Sequence, residues 1–336
     1  MAGRVTLLDV AQRAGVSRAT ASNVVTGQGR VSQATRQRVL AAMDELGYVY
    51  HQAAAQLRRQ VSRTIGVIVT NIDRPHFGEL LVGLETTLTD RGYTLLVIST
   101  RDQLDLQQRA IRTLREYQVA AVALVPATGT TSAHLDELRS WGIPLLFLVR
   151  YVRGDGIAYA GPDNVAGGRL VGEHLIGHGC RRLLYLGGRP RINTREDRIA
   201  GVHEAIAASH ESIEFAEQVC LPTAAGGFAA GQELLASGGP LPDGILCHGD
   251  LVAVGLHRAL HDAGMTGATR VVSFDGIAVS GYVVPRLTTA ASNAGELGRA
   301  AAQSLVEGLE QGFPVQSTRP VPTLVVGESC GVHDDA

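Results

Sequence analysis

The sequence has no lysine; its 30 Lys-or-Arg positions are all arginine. A P-loop, a pyridoxal phosphate Schiff base, a lysine-dependent aldolase and an S-x-x-K hydrolase each require that ammonium group, so all four are excluded. Cysteine is scarce and scattered. Cys180, Cys220, Cys247 and Cys330 form no C-x-x-C pair and read as reduced, mostly buried thiols, not as a disulfide frame or zinc site. No apolar run approaches the ~18–20 residues of a membrane span. The start, MAGRVTLLDV, has neither an apolar signal core nor a cleavage site, so a cytoplasmic protein with no membrane partner is expected. No G-x-S-x-G elbow and no acid/base pair tied to a nucleophile occurs, and GGFAAG and GQGRVS lack dinucleotide-binding context. His174 with His178, and His257 with His261, have zinc-compatible spacing, but without further ligands they read as surface or capping residues. No enzyme activity, cofactor or metal is expected.

What is present is a chain of 336 residues, 45% hydrophobic and 18% charged, enough for about two domains of roughly 150 residues. Charge is divided unevenly. Residues 1–60 hold eight Arg and three acids, a balance of +5, and the other 22 Arg and 29 acids give −7. A basic head on an acidic body points to a polyanion partner for the head.

The head reads as three helices. Leu7, Leu8, Val10, Ala11 and Ala14 make an apolar face, with Thr6 as N-cap and Gly15 as stop. Ser17 caps a second helix, Arg18 to Val25, burying Ala21, Val24 and Val25 and turning Arg18, Ala19, Ser22 and Asn23 outward. Two helices about a glycine turn, the second with a polar outer face, follow the plan of a helix-turn-helix. Ser32 caps a third helix carrying Val39, Met43 and Leu46, which Gly47 ends. The next segment, HQAAAQLRRQ, is short and Ala-rich, and its one strong apolar residue, Leu57, precedes Arg58 and Arg59. Such a helix is marginal alone and forms best on docking; a leucine beside arginines suits a minor-groove wedge.

From residue 64 onward, apolar strands alternate with amphipathic helices. TIGVIV, YTLLVIS, AAVALVP and PLLFLV form one series, and RRLLYLGG, DGILCHG and TRVVSFDG a second. That alternation implies parallel sheets covered on both faces, with ligands held at the carboxyl ends of strands. Asp275 ends such a strand, and Asn71, Asp73 and His76 follow the first one.

The stretch VTLLDVAQRAGVSRATASNVVTGQGRVSQATRQRVLAAMDELGY, with AAAQL after it, resembles the DNA-binding head and hinge helix of the lactose/galactose repressor (LacI/GalR) family. The resemblance continues through TIGVIV, DRPHFGELLVGLE, DNVAGG, LYLGG, DRIAGV, GDLVAVG, SFDG and LTT, so it covers almost the whole chain. It implies an all-α helix-turn-helix head over residues 1–50, a hinge helix over 51–61 and a body over 62–330. The body would be two doubly wound parallel-sheet lobes of the periplasmic-binding-protein-like type I fold. Lobe 1 is placed at about 62–160 and 291–319, and lobe 2 at about 161–290 and 320–330.

The resemblance also assigns roles. Thr6, Ser17, Ser22, Ser32 and Thr35 would touch phosphates; Arg18, Ala19 and Asn23 would read bases; Arg30 would face DNA; Leu57 would be the wedge. Asn23 stands where Arg is usual, which shifts preference from guanine toward adenine. Tyr50 and His51 replace the usual Pro-Asn. In the body, Arg198 matches the ligand-binding arginine, and Phe77 and Phe228 match aromatic positions that stack on the ligand. Val149 and Gly249 stand where sugar-binding members carry Asp and Asn, which loses polar contacts and gains space. The resulting expectation is a homodimeric repressor of a near-palindromic double-stranded operator, released by a sugar, glycoside or similar effector. Alternatives are a purine- or nucleoside-responsive or corepressor-dependent regulator, or a sugar-acting α/β enzyme.

Overall fold

The computed structural model describes residues 5–26, 29–48 and 62–331. Leu57, Tyr50, His51 and the rest of the expected hinge helix lie outside the described residues. The chain forms two units, Met1–Ser62 and Arg63–Ala336.

The first unit holds α1 (Leu7–Ala14), α2 (Arg18–Thr26) and α3 (Gln33–Leu46). Helix α1 starts in a reciprocal box: Asp9 N donates to Thr6 Oγ1, and Thr6 N donates to Asp9 Oδ2 at 2.7 Å. The Thr6 backbone bond, then its hydroxyl bond, holds the Asp9 carboxyl below its usual range. Gly15 (φ 63) ends α1 in the left-handed conformation that L side chains resist. Ser17 Oγ accepts from Thr20 N at 3.0 Å and so caps α2. Val10, Ala11, Ala14, Ala21, Val24, Val39 and Ala42 form the core, and Val25 is only half-buried. An exposed ion pair, Arg13–Glu45 at 2.5 Å, ties α1 to α3 and contributes at most about 1 kcal/mol.

In the second unit the first sheet has the order β2-β1-β3-β4-β5, all parallel. Its strands are β1 (Thr64–Val69), β2 (Thr94–Ser99), β3 (Ala121–Leu124), β4 (Leu145–Leu148) and β5 (Ala158–Ala160). Its helices are α4 (Pro75–Asp90), α5 (Leu104–Glu116) and α6 (Asp136–Ser140). The second sheet has the order β11-β10-β9-β8-β6-β7. Those strands are β6 (Arg182–Leu186), β7 (Glu214–Gln218), β8 (Gly244–Cys247), β9 (Arg270–Asp275), β10 (Thr288–Ala291) and β11 (Thr323–Val325), of which β11 alone runs antiparallel to its neighbour. Helices α7 (Asn164–Gly177), α8 (Asn193–Ser209), α9 (Ala224–Ala236) and α10 (Asp250–Asp262) belong to this lobe. The chain leaves the first sheet after β5 and returns after β10 with α11 (Ala294–Gln311), which packs on α4; it then re-enters the second sheet as β11.

Burial explains the pattern. Strand β1 is central, so Ile65 to Val69 are all buried and read as one apolar run. Leu80, Leu84 and Leu88 of α4 meet Leu297, Ala301 and Leu305 of α11, each buried leucine contributing roughly 1.5–3 kcal/mol. The helices cross closely: a Cβ on Gly298 would lie 2.2 Å from Leu80 O, so no larger residue fits there without parting them. No described helix is long and apolar enough to cross a membrane.

Candidate functional sites: a helical head surface and an interlobe cleft

On α2, Arg18, Ala19 and Asn23 are exposed and Ser22 half-exposed, opposite the buried Ala21 and Val24. Arg30, Arg36 and Arg38 are exposed as well. Hydroxyls on this unit are partly spent. Thr6 Oγ1 donates to Asp9 Oδ2 and Ser32 Oγ donates to Thr35 Oγ1 at 2.9 Å, which leaves the Thr35 proton for an outside acceptor. Ser17 Oγ shares a 2.9 Å bond with Thr20 Oγ1.

In the body, a cleft enclosing about 630 Å³, part of it open to solvent, lies between the lobes. Strand ends build it, as open parallel sheets dictate. Arg74 follows β1, Val149 and Arg150 follow β4, Arg198 lies on the helix after β6, His248 and Gly249 follow β8, and Asp275 ends β9. Arg198 is 5% exposed, its guanidinium held from three sides. Nε donates to Asn164 Oδ1 at 2.9 Å, Nη1 to His248 O at 2.5 Å and Nη2 to Asp275 Oδ1 at 3.3 Å. It also stacks on the Phe274 ring, 4.3 Å from the centroid. The backbone beneath it is fixed by close packing: a Cβ on Gly168 of α7 would lie 2.0 Å from Arg198 O.

The first-sheet side is also charged. Arg150 Nη1 donates to Asp102 Oδ1 at 2.8 Å, and both side chains are buried. Burial opposes ionisation of Asp102, but Arg150 and two bonds from Thr128 outweigh it and hold the carboxyl below its usual range. Arg150 N donates to Leu148 O at 2.5 Å, closing a tight turn on Val149, whose φ is 59. Asp275 has φ 100. A β-branched residue and a carboxylate thus both occupy sparsely populated backbone on the cleft wall, a strain that clusters at functional sites. Burial, then Arg198, Arg150 and Arg74, drives His248 far below the usual imidazole range; its Nδ1 is 2.9 Å from the Tyr185 hydroxyl. Asp250, fully buried, accepts from Ser273, Thr289 and Ile277 N, and burial with neighbouring Asp275 pushes its carboxyl up to about 7.

Outside the cleft lining, Tyr151 Oη donates to Asp197 Oδ2 at 2.8 Å and Arg153 pairs with Asp197 Oδ1 at 2.5 Å, which ties the loop after β4 to α8.

Residues 6–50 match the family described as bacterial regulatory proteins, lacI family, and residues 62–323 match periplasmic binding proteins and sugar binding domain of LacI family. The ribose operon repressor of Halalkalibacterium halodurans is 31% identical over 96% of both chains. The regulator GalR of Salmonella typhimurium is 32% identical over 84% of this chain and 83% of its own. The chain belongs to the LacI family. A lac repressor dimer bound to operator shares the fold, with TM-score 0.86, 24% identity and coverage of 98% of this chain and all of that one. This LacI-family protein is a DNA-binding transcriptional regulator and not an enzyme.

Among the expected effector contacts, the cleft of this LacI-family protein gathers His76, Phe77, Arg198, Gly249 and Asp275. Asn71, Asp73 and Phe228 do not line it. Phe228 is half-buried on α9, where its backbone packs against Gly255 of α10, so Phe77 is the aromatic residue of the wall. The space expected at Gly249 is already taken, because a Cβ there would lie 2.6 Å from Asp275 Oδ2. Sequence reasoning missed Arg74, Arg150 and His248. The strand-end rule applied to Asp275 would have found Arg150 after PLLFLV and His248 after GILC. His174 Nε2 lies 3.2 Å from Cys330 Sγ and its ring 4.6 Å from that of His178.

Proposed function

We propose that two copies of this chain bind a near-palindromic operator and repress transcription, and that a polyhydroxylated, sugar-like effector in the cleft releases them. The Arg198–Asp275 pair on the cleft wall carries the effector reading. A planar five-donor group beside a carboxylate matches vicinal hydroxyls, which both donate and accept. Val149, Leu251 and Val252 add apolar wall, which favours a glycoside or a similarly part-apolar sugar derivative. One named relative is a ribose operon repressor, which supports the same class.

Arg18, Ala19 and Asn23 would read bases in the major groove, with Ser17, Ser22, Thr35 and Arg30 on the backbone and Leu57 wedged in the minor groove. Twofold symmetry of the operator then mirrors that of the dimer. Tyr282 and Val284, 86% and 92% exposed on the stretch leading into β10, offer apolar surface for pairing. The effector acts by favouring one arrangement of the lobes over another. Such a regulator works in the cytoplasm, where its DNA lies. A gel shift with the upstream genomic fragment tests the reading. Binding must occur, must fall by about 10³–10⁵ between 50 and 200 mM salt for ~6–10 phosphate contacts, and must weaken with Leu57→Ala. No shift at low salt would remove it.

A further inference from the structure

Three arginines line the cleft, Arg74, Arg150 and Arg198, against one carboxylate, Asp275. Two of them have counter-charges: Asp102 behind Arg150 and Asp275 beside Arg198. Arg74 has no carboxylate at ion-pair distance among the described residues. The amide of Asn71, oriented so that its nitrogen donates to Thr70 O, offers Arg74 Nη2 only a neutral oxygen at 3.0 Å. Arg74 is half-buried, and burial, then the nearby Arg150, depresses its pKa. Asp275, Asp102 and Asp73 pull the other way from farther off, but none pairs with the guanidinium, and a half-buried guanidinium without a paired carboxylate favours a ligand that supplies one.

Two further features lie on the same wall. His76 is 8% exposed and lines the cleft, and its Nε2 is buried without a hydrogen-bond partner. Helices α4, α8 and α10 also begin at the cleft, with Pro75 to Phe77, Thr194, and Gly249, Leu251 and Val252 on its wall. None of these three N-termini has a side-chain cap, whereas α7 and α9 are capped by Asp163 and Thr223. Pro75 has no N–H, and Phe77 N, Arg195 N and Val252 N donate to Arg74 O, Ile192 O and Gly249 O, so what these N-termini present to the space is mainly their positive dipole ends.

We infer that the effector is a sugar-like molecule carrying an anionic group, a phosphate or a carboxylate, which Arg74, Arg150 and the start of α4 grip while its hydroxyls meet Arg198 and Asp275. This rests on the reading of the cleft as the effector site. A neutral hydroxyl could fill a hydrogen bond of Arg74 but would leave the guanidinium without a paired anion. An anion supplies that partner, and the effector as a whole then bridges the two lobes, since Arg74 and Arg150 follow first-sheet strands and Arg198 lies on a second-lobe helix.

The test uses the full-length chain in calorimetry against matched sets. One set is glucose, glucose 6-phosphate and glucuronate, another is the same three forms of galactose, and a third is ribose with ribose 5-phosphate. Inorganic phosphate is tested separately by thermal shift. The anionic member of at least one set is expected to bind about 10- to 100-fold tighter than its neutral parent, the ratio of one or two charge-assisted hydrogen bonds. Comparing phosphate ester with uronate tells which anion is preferred. Arg74→Gln should erase the preference, and inorganic phosphate should raise the melting temperature of the wild type more than that of R74Q. Neutral sugars binding as tightly as their anionic forms, or phosphate acting equally on both proteins, overturns the anionic group and leaves the sugar-like reading standing. If no sugar of either form binds while phosphate still distinguishes R74Q, the anion site is supported and the sugar-like reading fails.

Discussion

Arg198 and Asp275 are 77 residues apart in sequence and 3.3 Å apart in space, joining α8 to the end of β9 on the wall of the cleft. The same guanidinium holds Asn164 and the His248 carbonyl, so one side chain ties together three segments that meet at the cavity. A ligand that displaced the guanidinium would pull on α7 and on the loop before α10, and the proposed effector role rests on that link.

Arg198→Ala should therefore abolish the effector response while operator binding persists. Three acceptors lose a charged donor, so body stability should fall by about 1–3 kcal/mol. Gel shifts with and without effector, together with thermal unfolding, check both parts. A normal response in the variant would show that the pocket has been misplaced.

Gly249→Ala tests the wall from the other side. Its Cβ would lie 2.6 Å from Asp275 Oδ2, at the end of a side chain that can turn. The fold should tolerate this within about 1 kcal/mol. The carboxylate would swing away, however, and effector affinity should drop by about tenfold or more, the scale of one lost charge-assisted hydrogen bond. Calorimetry showing unchanged affinity would mean that Asp275 makes no ligand contact.

The alternation of apolar runs and amphipathic helices was legible because β1, β3, β4 and β8 are buried on both faces and, as TIGVIV, AVAL, LLFL and GILC, carry no charged residue. Strand β7, Glu214–Gln218, was not, because it is a sheet edge with Glu214, Ala216 and Glu217 exposed, and EFAEQ has no apolar run. In the head the caps at Thr6, Ser17 and Ser32 and the stops at Gly15 and Gly47 could be read directly, since capping is local chemistry. The cleft was only half legible. Arg150 depends on Asp102, 48 residues away, and on a strained turn at Val149, and neither leaves a local pattern. Phe228 has the residue type of a stacking wall, but the close α9–α10 crossing at Gly255 sets where its helix runs.

Asn23 makes the DNA reading sharp. It is exposed on α2, one turn beyond Ala19, and an amide pairs best with adenine through two hydrogen bonds. Asn23→Ala should cost about 1–3 kcal/mol of operator affinity and relax preference at a single base step, with the salt slope nearly unchanged. Binding to a set of single-base operator variants measures this. A uniform loss across all variants would make Asn23 a backbone contact instead.

The pH dependence of the body offers a test that needs no ligand. His257 of α10 has a buried Nε2 with no hydrogen-bond partner, and burial lowers its pKa to about 4. The folded state keeps this ring neutral, while the unfolded chain takes up a proton below about 6.5. The unfolded state then binds more protons, so stability from this group is present above pH 6.5 and lost as pH falls toward 4, at about 1.4 kcal/mol per pH unit. Asp250 has the opposite sign: its raised pKa, about 7, makes its contribution fall as pH rises from about 4 to 7. The wild-type profile is thus a sum of opposing slopes, and the difference from His257→Leu isolates one group. Between pH 6.5 and 5 the wild type should lose about 2 kcal/mol more than H257L in denaturant unfolding of the body. Parallel profiles would mean that His257 finds a partner or water in solution and is not held neutral by burial.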